Sequence, residues 1–131
     1  MALTSVNDQL VASRVLIVDD SPQFREVATA LLAERGLEVV TTAADGDQAL
    51  DAAADVCPDG ILIDINLPGR DGFAVAACLA VACPAARIVL TSSSVAYVPP
   101  ELLRRCAAVA FVPKEELAGV DLGWLLTPEG T

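Results

Sequence analysis

Asp19 and Asp20 follow the apolar run Arg14-Val15-Leu16-Ile17-Val18, and Asp64 closes the run Gly60-Ile61-Leu62-Ile63. Thr91 ends Arg87-Ile88-Val89-Leu90, and Lys114 comes shortly after Ala110-Phe111-Val112. Three carboxylates brought together repel and raise one another's pKa. A hard divalent cation offsets that charge, and Mg2+ typically takes one or two carboxylates and keeps several waters. A lysine offsets more of it as a compact point charge. A carboxylate can also attack phosphorus, giving an aspartyl phosphate. Phosphoryl transfer needs in-line positioning and neutralised oxygens more than it needs a base. Metal, lysine and hydroxyl would supply that neutralisation, provided the fold brings these residues to one place.

The elements that would do so alternate regularly. Short apolar runs bounded by turn residues read as buried strands. Such runs fall at residues 14–18, 38–42, 60–64, 87–91 and 108–112. Between them lie helical segments. Ser21-Pro22 starts the first, with Phe24, Val27, Ala28, Leu31 and Leu32 at helical spacing, and Gly36 stops it. Asp45-Gly46 opens the second, with Ala49, Leu50 and Ala53 inward. Asp71-Gly72 opens the third, to about residue 82. Pro99-Pro100 introduces a short fourth helix over 101–106, and a last helix is expected over 115–126 despite Gly119 and Gly123. Alternation of this kind predicts an α/β fold with a five-stranded parallel sheet and helices on both faces. In the doubly wound order 2-1-3-4-5, strands one and three meet at the switch point, where such folds hold their sites. Asp19, Asp20 and Asp64 then share one crevice.

Composition narrows the function. The chain has 131 residues, 54% of them hydrophobic, enough for one domain with a real core. The expected division is a lead-in over 1–13, the domain over 14–126 and a tail over 127–131. A net charge of −10 argues against direct nucleic acid binding. There is no histidine, which excludes histidine catalysis, histidine metal ligands and a phosphohistidine on this chain. Arginine is used seven times and lysine once, at Lys114, which singles that lysine out as a site residue. Cys57, Cys78, Cys83 and Cys106 form no Cys-x-x-Cys and are expected as reduced, buried or half-buried thiols. No signal peptide or membrane span is apparent, so the cytoplasm is the expected compartment. Arg104 and Arg105 read as a solvated helix face.

The motifs Val18-Asp19-Asp20-Ser21, Asp64-Ile65-Asn66-Leu67-Pro68-Gly69-Arg70-Asp71-Gly72, Leu90-Thr91-Ser92 and Phe111-Val112-Pro113-Lys114 together resemble the receiver domain of two-component response regulators. The resemblance implies a flavodoxin-like fold with Asp64 as phosphoacceptor, charged by a histidine kinase or histidine phosphotransfer protein. It implies Mg2+ held by Asp20 directly, by Asp19 with help from water, by Asp64 and by the backbone carbonyl of Asn66. It further implies that Thr91 and Lys114 bind the phosphoryl oxygens, and that Phe111 is an aromatic switch that rotates inward as Thr91 moves. Asn66 and Ser93 fall where the family tunes dephosphorylation. Pro113 precedes the lysine, whereas many receivers place a proline after it. With no DNA-binding segment in view, output is expected through a protein partner, and homodimerisation stays open. Turnover of a separate substrate is not expected. A phosphatase of the haloacid-dehalogenase type would want an Asp two residues after the nucleophile, where this chain has Asn66. A receiver fold serving only as an interaction scaffold is the other alternative.

Overall fold

The computed structural model describes residues 12–128. Residues 1–11 of the expected lead-in and 129–131 of the expected tail lie outside them. Five parallel strands form one sheet: β1 (Arg14–Val18), β2 (Glu38–Ala43), β3 (Gly60–Asp64), β6 (Arg87–Ser92) and β7 (Ala110–Pro113). Their order is β2-β1-β3-β6-β7, which is the 2-1-3-4-5 order expected for the five main strands. A small antiparallel pair, β4 (Asn66–Leu67) with β5 (Arg70–Asp71), follows β3. It was not foreseen, because two-residue strands carry no periodicity.

Each strand alternates its side chains between the two faces of the sheet. Leu16, Val18, Ile61, Ile63, Ile88 and Leu90 build one core with helices α2 (Gly46–Val56) and α3 (Gly72–Ala82). Val15, Ile17, Leu62, Val89 and Val112 build the other with helix α1 (Pro22–Glu34) and the C-terminal leucines. The short α4 (Pro100–Arg105) packs Leu103 on the first side. Strands covered on both faces need no polar alternation, which is why they read as continuous apolar runs.

The helix starts are set locally. Ser21 Oγ accepts from Phe24 N at 3.1 Å, and Pro22 takes the first turn, where its missing N–H costs nothing. Asp45 accepts from Gln48 N at 2.8 Å while the Gln48 side chain accepts from Ala44 N at 2.8 Å, a reciprocal cap. Gly72 is obligatory for a different reason: a Cβ there would run into the Ile65 backbone.

Three expectations need correction. The last helix is not continuous: a 3-10 helix, Lys114–Gly119, gives way to extended Val120 and then to the short α5 (Leu122–Leu125). Arg35 donates to the Ala118 and Val120 carbonyls there, and Asp121 caps the new start by accepting from Trp124 N at 3.0 Å. Val27 is 64% exposed, because Ala28 and Leu32, one turn apart, carry the buried face of α1. Cys57 and Cys78 are exposed and only Cys83 and Cys106 are buried. Cys57 is the left-handed cap that ends α2 (φ 46°), and Cys78 lies on the outward side of α3.

Candidate functional site

The carboxyl ends of β1 and β3 deliver Asp19 and Asp64 to the same edge of the sheet. Carboxylate oxygens of Asp19, Asp20 and Asp64 all lie within 4.8 Å of one another. Asp19 is fully buried, Asp64 is 4% exposed and Asp20 faces solvent. Lys114 Nζ reaches Asp19 Oδ2 at 2.8 Å and Asp64 Oδ2 at 3.0 Å. The sole lysine thus stands between the two buried carboxylates, as its placement after β7 predicts.

Each side chain is held by neighbours. Ser21 N donates to Asp19 Oδ1 at 2.8 Å, and Arg25 donates to the Asp19 carbonyl at 2.7 Å. Asn66 N donates to Asp64 Oδ1 at 2.8 Å. The Phe24 ring centroid lies 4.1 Å from the Lys114 ammonium, a cation–π contact. The Asn66 carboxamide donates to Ser92 Oγ at 3.1 Å and Ser94 Oγ at 2.8 Å. The sequence reads Phe24 only as a helix-face residue and Ser92 only as part of the Leu90-Thr91-Ser92 motif, and it gives Arg25 and Ser94 no site role. Only the helical phase places Phe24 and Arg25 here, and only the strand register places the serines.

Thr91 sits opposite Asp64 in the β3–β6 register, with 1% of its surface exposed. Its hydroxyl does not face the acids: it donates to the Val112 carbonyl on β7 at 2.7 Å. Phe111 is half-buried against the first core.

The electrostatics are unbalanced. Burial pushes the Asp19 carboxyl up, only partly countered by Lys114 and by the Ser21 amide. For Lys114, burial pulls down, but Asp19 and Asp64 together outweigh it and hold the ammonium above its ordinary value. Like charges this close repel by about 3 kcal/mol per pair at an effective dielectric constant of about 20. Lys114 Nζ is paired with Asp19 Oδ2 at 2.8 Å, and no other group among the described residues bonds this buried oxygen. An acidic trio with an all-oxygen donor set fits a hard divalent cation.

A family model described as response regulator receiver domain matches residues 15–118. The chain belongs to that family. The family is that of the receiver domains of two-component signalling. It is 44% identical over 82 residues to protein-glutamate methylesterase/protein-glutamine glutaminase 5 of Myxococcus xanthus, a match covering 62% of this chain and 24% of that protein. The corresponding protein of Archaeoglobus fulgidus is 39% identical over 111 residues, covering 83% of this chain and 32% of the relative. The receiver thus spans about a quarter to a third of the length of these curated relatives. Among solved structures, Vibrio cholerae chemotaxis protein CheY4 aligns with TM-score 0.74 at 27% identity, over 88% of this chain and all of that one. No helix among the described residues of the receiver is long and apolar enough to cross a membrane.

Proposed function

We propose that residues 14–126 form a switch in which Asp64 takes a phosphoryl group from the phosphohistidine of a histidine kinase or histidine phosphotransfer protein, and that a protein partner reads the change. The observation that carries this reading is the Lys114 ammonium held between Asp19 and Asp64, at 2.8 and 3.0 Å, beside Asp20 at the carboxyl edge of the sheet. In the transfer, a carboxylate oxygen of Asp64 forms the new P–O bond as the P–N bond of the donor imidazole breaks. The imidazole nitrogen keeps the electron pair and takes a proton from solvent.

The chain's own groups divide the remaining work. The Asn66 amide fixes the Asp64 rotamer through Oδ1. Lys114, already within reach of Oδ2, follows the charge onto a phosphoryl oxygen. Asp19, Asp20, Asp64 and the Asn66 backbone carbonyl would hold Mg2+, which when bound supplies positive charge against the phosphoryl oxygens. Thr91 would exchange the Val112 carbonyl for a phosphoryl oxygen, and the released β6–β7 edge is where Phe111 would turn inward.

Incubation with acetyl phosphate and Mg2+, followed by intact mass measurement, tests the reading. Wild type should gain one phosphoryl group, labile to hydroxylamine as an acyl phosphate, and chelator should abolish the gain. An undiminished adduct in Asp64→Asn, or none in wild type, rejects Asp64 as acceptor.

A further inference from the structure

The chain has eight basic residues against a net charge of −10, and six of the eight are engaged within the fold. Arg14, Arg25, Arg35 and Arg87 donate to backbone carbonyls, Arg70 pairs with Asp47, and Lys114 sits between Asp19 and Asp64. The side chains of Arg104 and Arg105 alone among the basic residues make no hydrogen bond or ion pair among the described residues, and both residues are exposed in the last turn of α4.

Helix α3 departs from the usual surface pattern. Its sequence, Gly72-Phe73-Ala74-Val75-Ala76-Ala77-Cys78-Leu79-Ala80-Val81-Ala82, contains no charged side chain. Val75, Ala76 and Leu79 face the core. Ala74, Cys78 and Val81 face outward, Val81 with 82% of its surface exposed. A helix with one side in water normally turns charged or polar residues that way. Between α3 and α4 lies a cavity of about 240 Å³, lined by Phe73, Ala74, Ala77, Leu102, Arg105 and Cys106. Asp71, the only carboxylate on its wall, is turned to the α3 terminus, accepting from Phe73 N at 3.0 Å. The groove, part apolar and part polar in its lining, therefore carries a guanidinium that makes no ion pair among the described residues, with Asp71 on the same wall and Glu101 one turn earlier on α4.

We propose that the α3–α4 face docks an acidic amphipathic helix of a partner protein. Its apolar side enters the groove beside Phe73, Ala77 and Leu102, and its carboxylates meet Arg105 and Arg104. Charge complementarity selects this occupant. A second copy of the chain, meeting the first across a two-fold axis, would bring the same two arginines of each copy into one apolar contact. The surface is formed without phosphorylation, so the inference does not rest on Asp64.

The test is a titration of the 15N-labelled full chain with two synthetic amphipathic helical peptides, both presenting a leucine stripe, one flanked by glutamates and the other by lysines. The glutamate peptide should give saturable shifts confined to residues 73–82 and 102–106, with affinity about tenfold above the lysine peptide. The double variant Arg104→Glu/Arg105→Glu should reverse that preference, and Val81→Glu should weaken the glutamate peptide about tenfold, each with the amide spectrum of a folded chain. Asp64→Asn should bind as wild type does. Absence of saturable shifts, shifts elsewhere, or a preference unmoved by charge reversal overturns the proposal. So does a dimer in sedimentation that Val81→Glu dissolves, which would assign the face to a second copy.

Discussion

Lys114 Nζ lies 2.8 Å from Oδ2 of the fully buried Asp19. Removing one member of a buried pair leaves the other uncompensated, which costs more than the pair itself contributes. Lys114→Met should therefore destabilise the metal-free protein by about 3 kcal/mol. Urea unfolding at pH 7 in chelator reads this, and Mg2+ should restore part of the loss. A change below about 1 kcal/mol would mean that solvent screens the pair as it does on a surface.

The pH dependence of the metal-free protein follows from the same two groups. Asp19 titrates above its ordinary 3.8 in the folded state, chiefly through burial. The folded protein then binds this proton more tightly than the unfolded chain, so stability is present below 3.8 and is lost as pH rises through the raised folded value. Asp19→Asn should remove that slope, Lys114 keeping Asp64 as its partner at 3.0 Å. Lys114, raised above 10.5, contributes stability that is full below 10.5 and lost as pH rises through its folded value, so Lys114→Met should flatten the alkaline limb. Unfolding midpoints across pH in wild type and both variants decide the matter; an Asp19→Asn profile parallel to wild type would refute the assignment.

Much of this was legible because strand ends are punctuated. Val18 to Asp19 and Ile63 to Asp64 are abrupt changes from apolar to acidic, and parallel strands bring such ends to one edge. What could not be read depends on contacts distant in the chain. The broken C-terminal helix follows in part from Arg35, 85 residues before Val120. The Thr91 hydroxyl turns to Val112 rather than to Asp64, a rotamer choice invisible in a strand pattern. The Ser92–Ser94 cradle for Asn66 needs the β3–β6 register as well as the residue types.

Thiol reactivity gives a second view of the first core, which holds both buried cysteines. The thiolate is the reactive form, and it needs access as well as charge. Burial pushes the Cys83 thiol up, with Cys57 adding to the effect, and burial likewise pushes Cys106 up. Cys57 and Cys78 are exposed. A time course with Ellman's reagent at pH 8 should show two thiols reacting at once and two about a hundredfold more slowly, limited by local opening. Four equivalent thiols would contradict the packing of both α2–α3 and α4.

The last element is held from outside itself. Arg35, just past α1, donates to Val120 O at 2.7 Å and to Ala118 O, spanning the break before α5. A continuous helix would give those carbonyls partners four residues on; after the break Val120 O accepts from Leu122 N at 3.0 Å and Arg35 supplies a further donor. The break in turn lets Leu122 and Leu126 reach full burial against Val15, Ile17 and Leu32. Arg35→Ala should cost about 1.5–3 kcal/mol, the range for hydrogen bonds involving a charged group. The loss should be local, because β1, β3 and β6 keep their own pairing. Hydrogen exchange should therefore quicken at the Leu125 and Leu126 amides, which donate to Asp121 and Leu122 carbonyls, well before it quickens in the central strands. Arg35→Lys, with one point donor for two carbonyls, should fall between. Uniform acceleration across the whole sheet would show that Arg35 supports global stability rather than this junction.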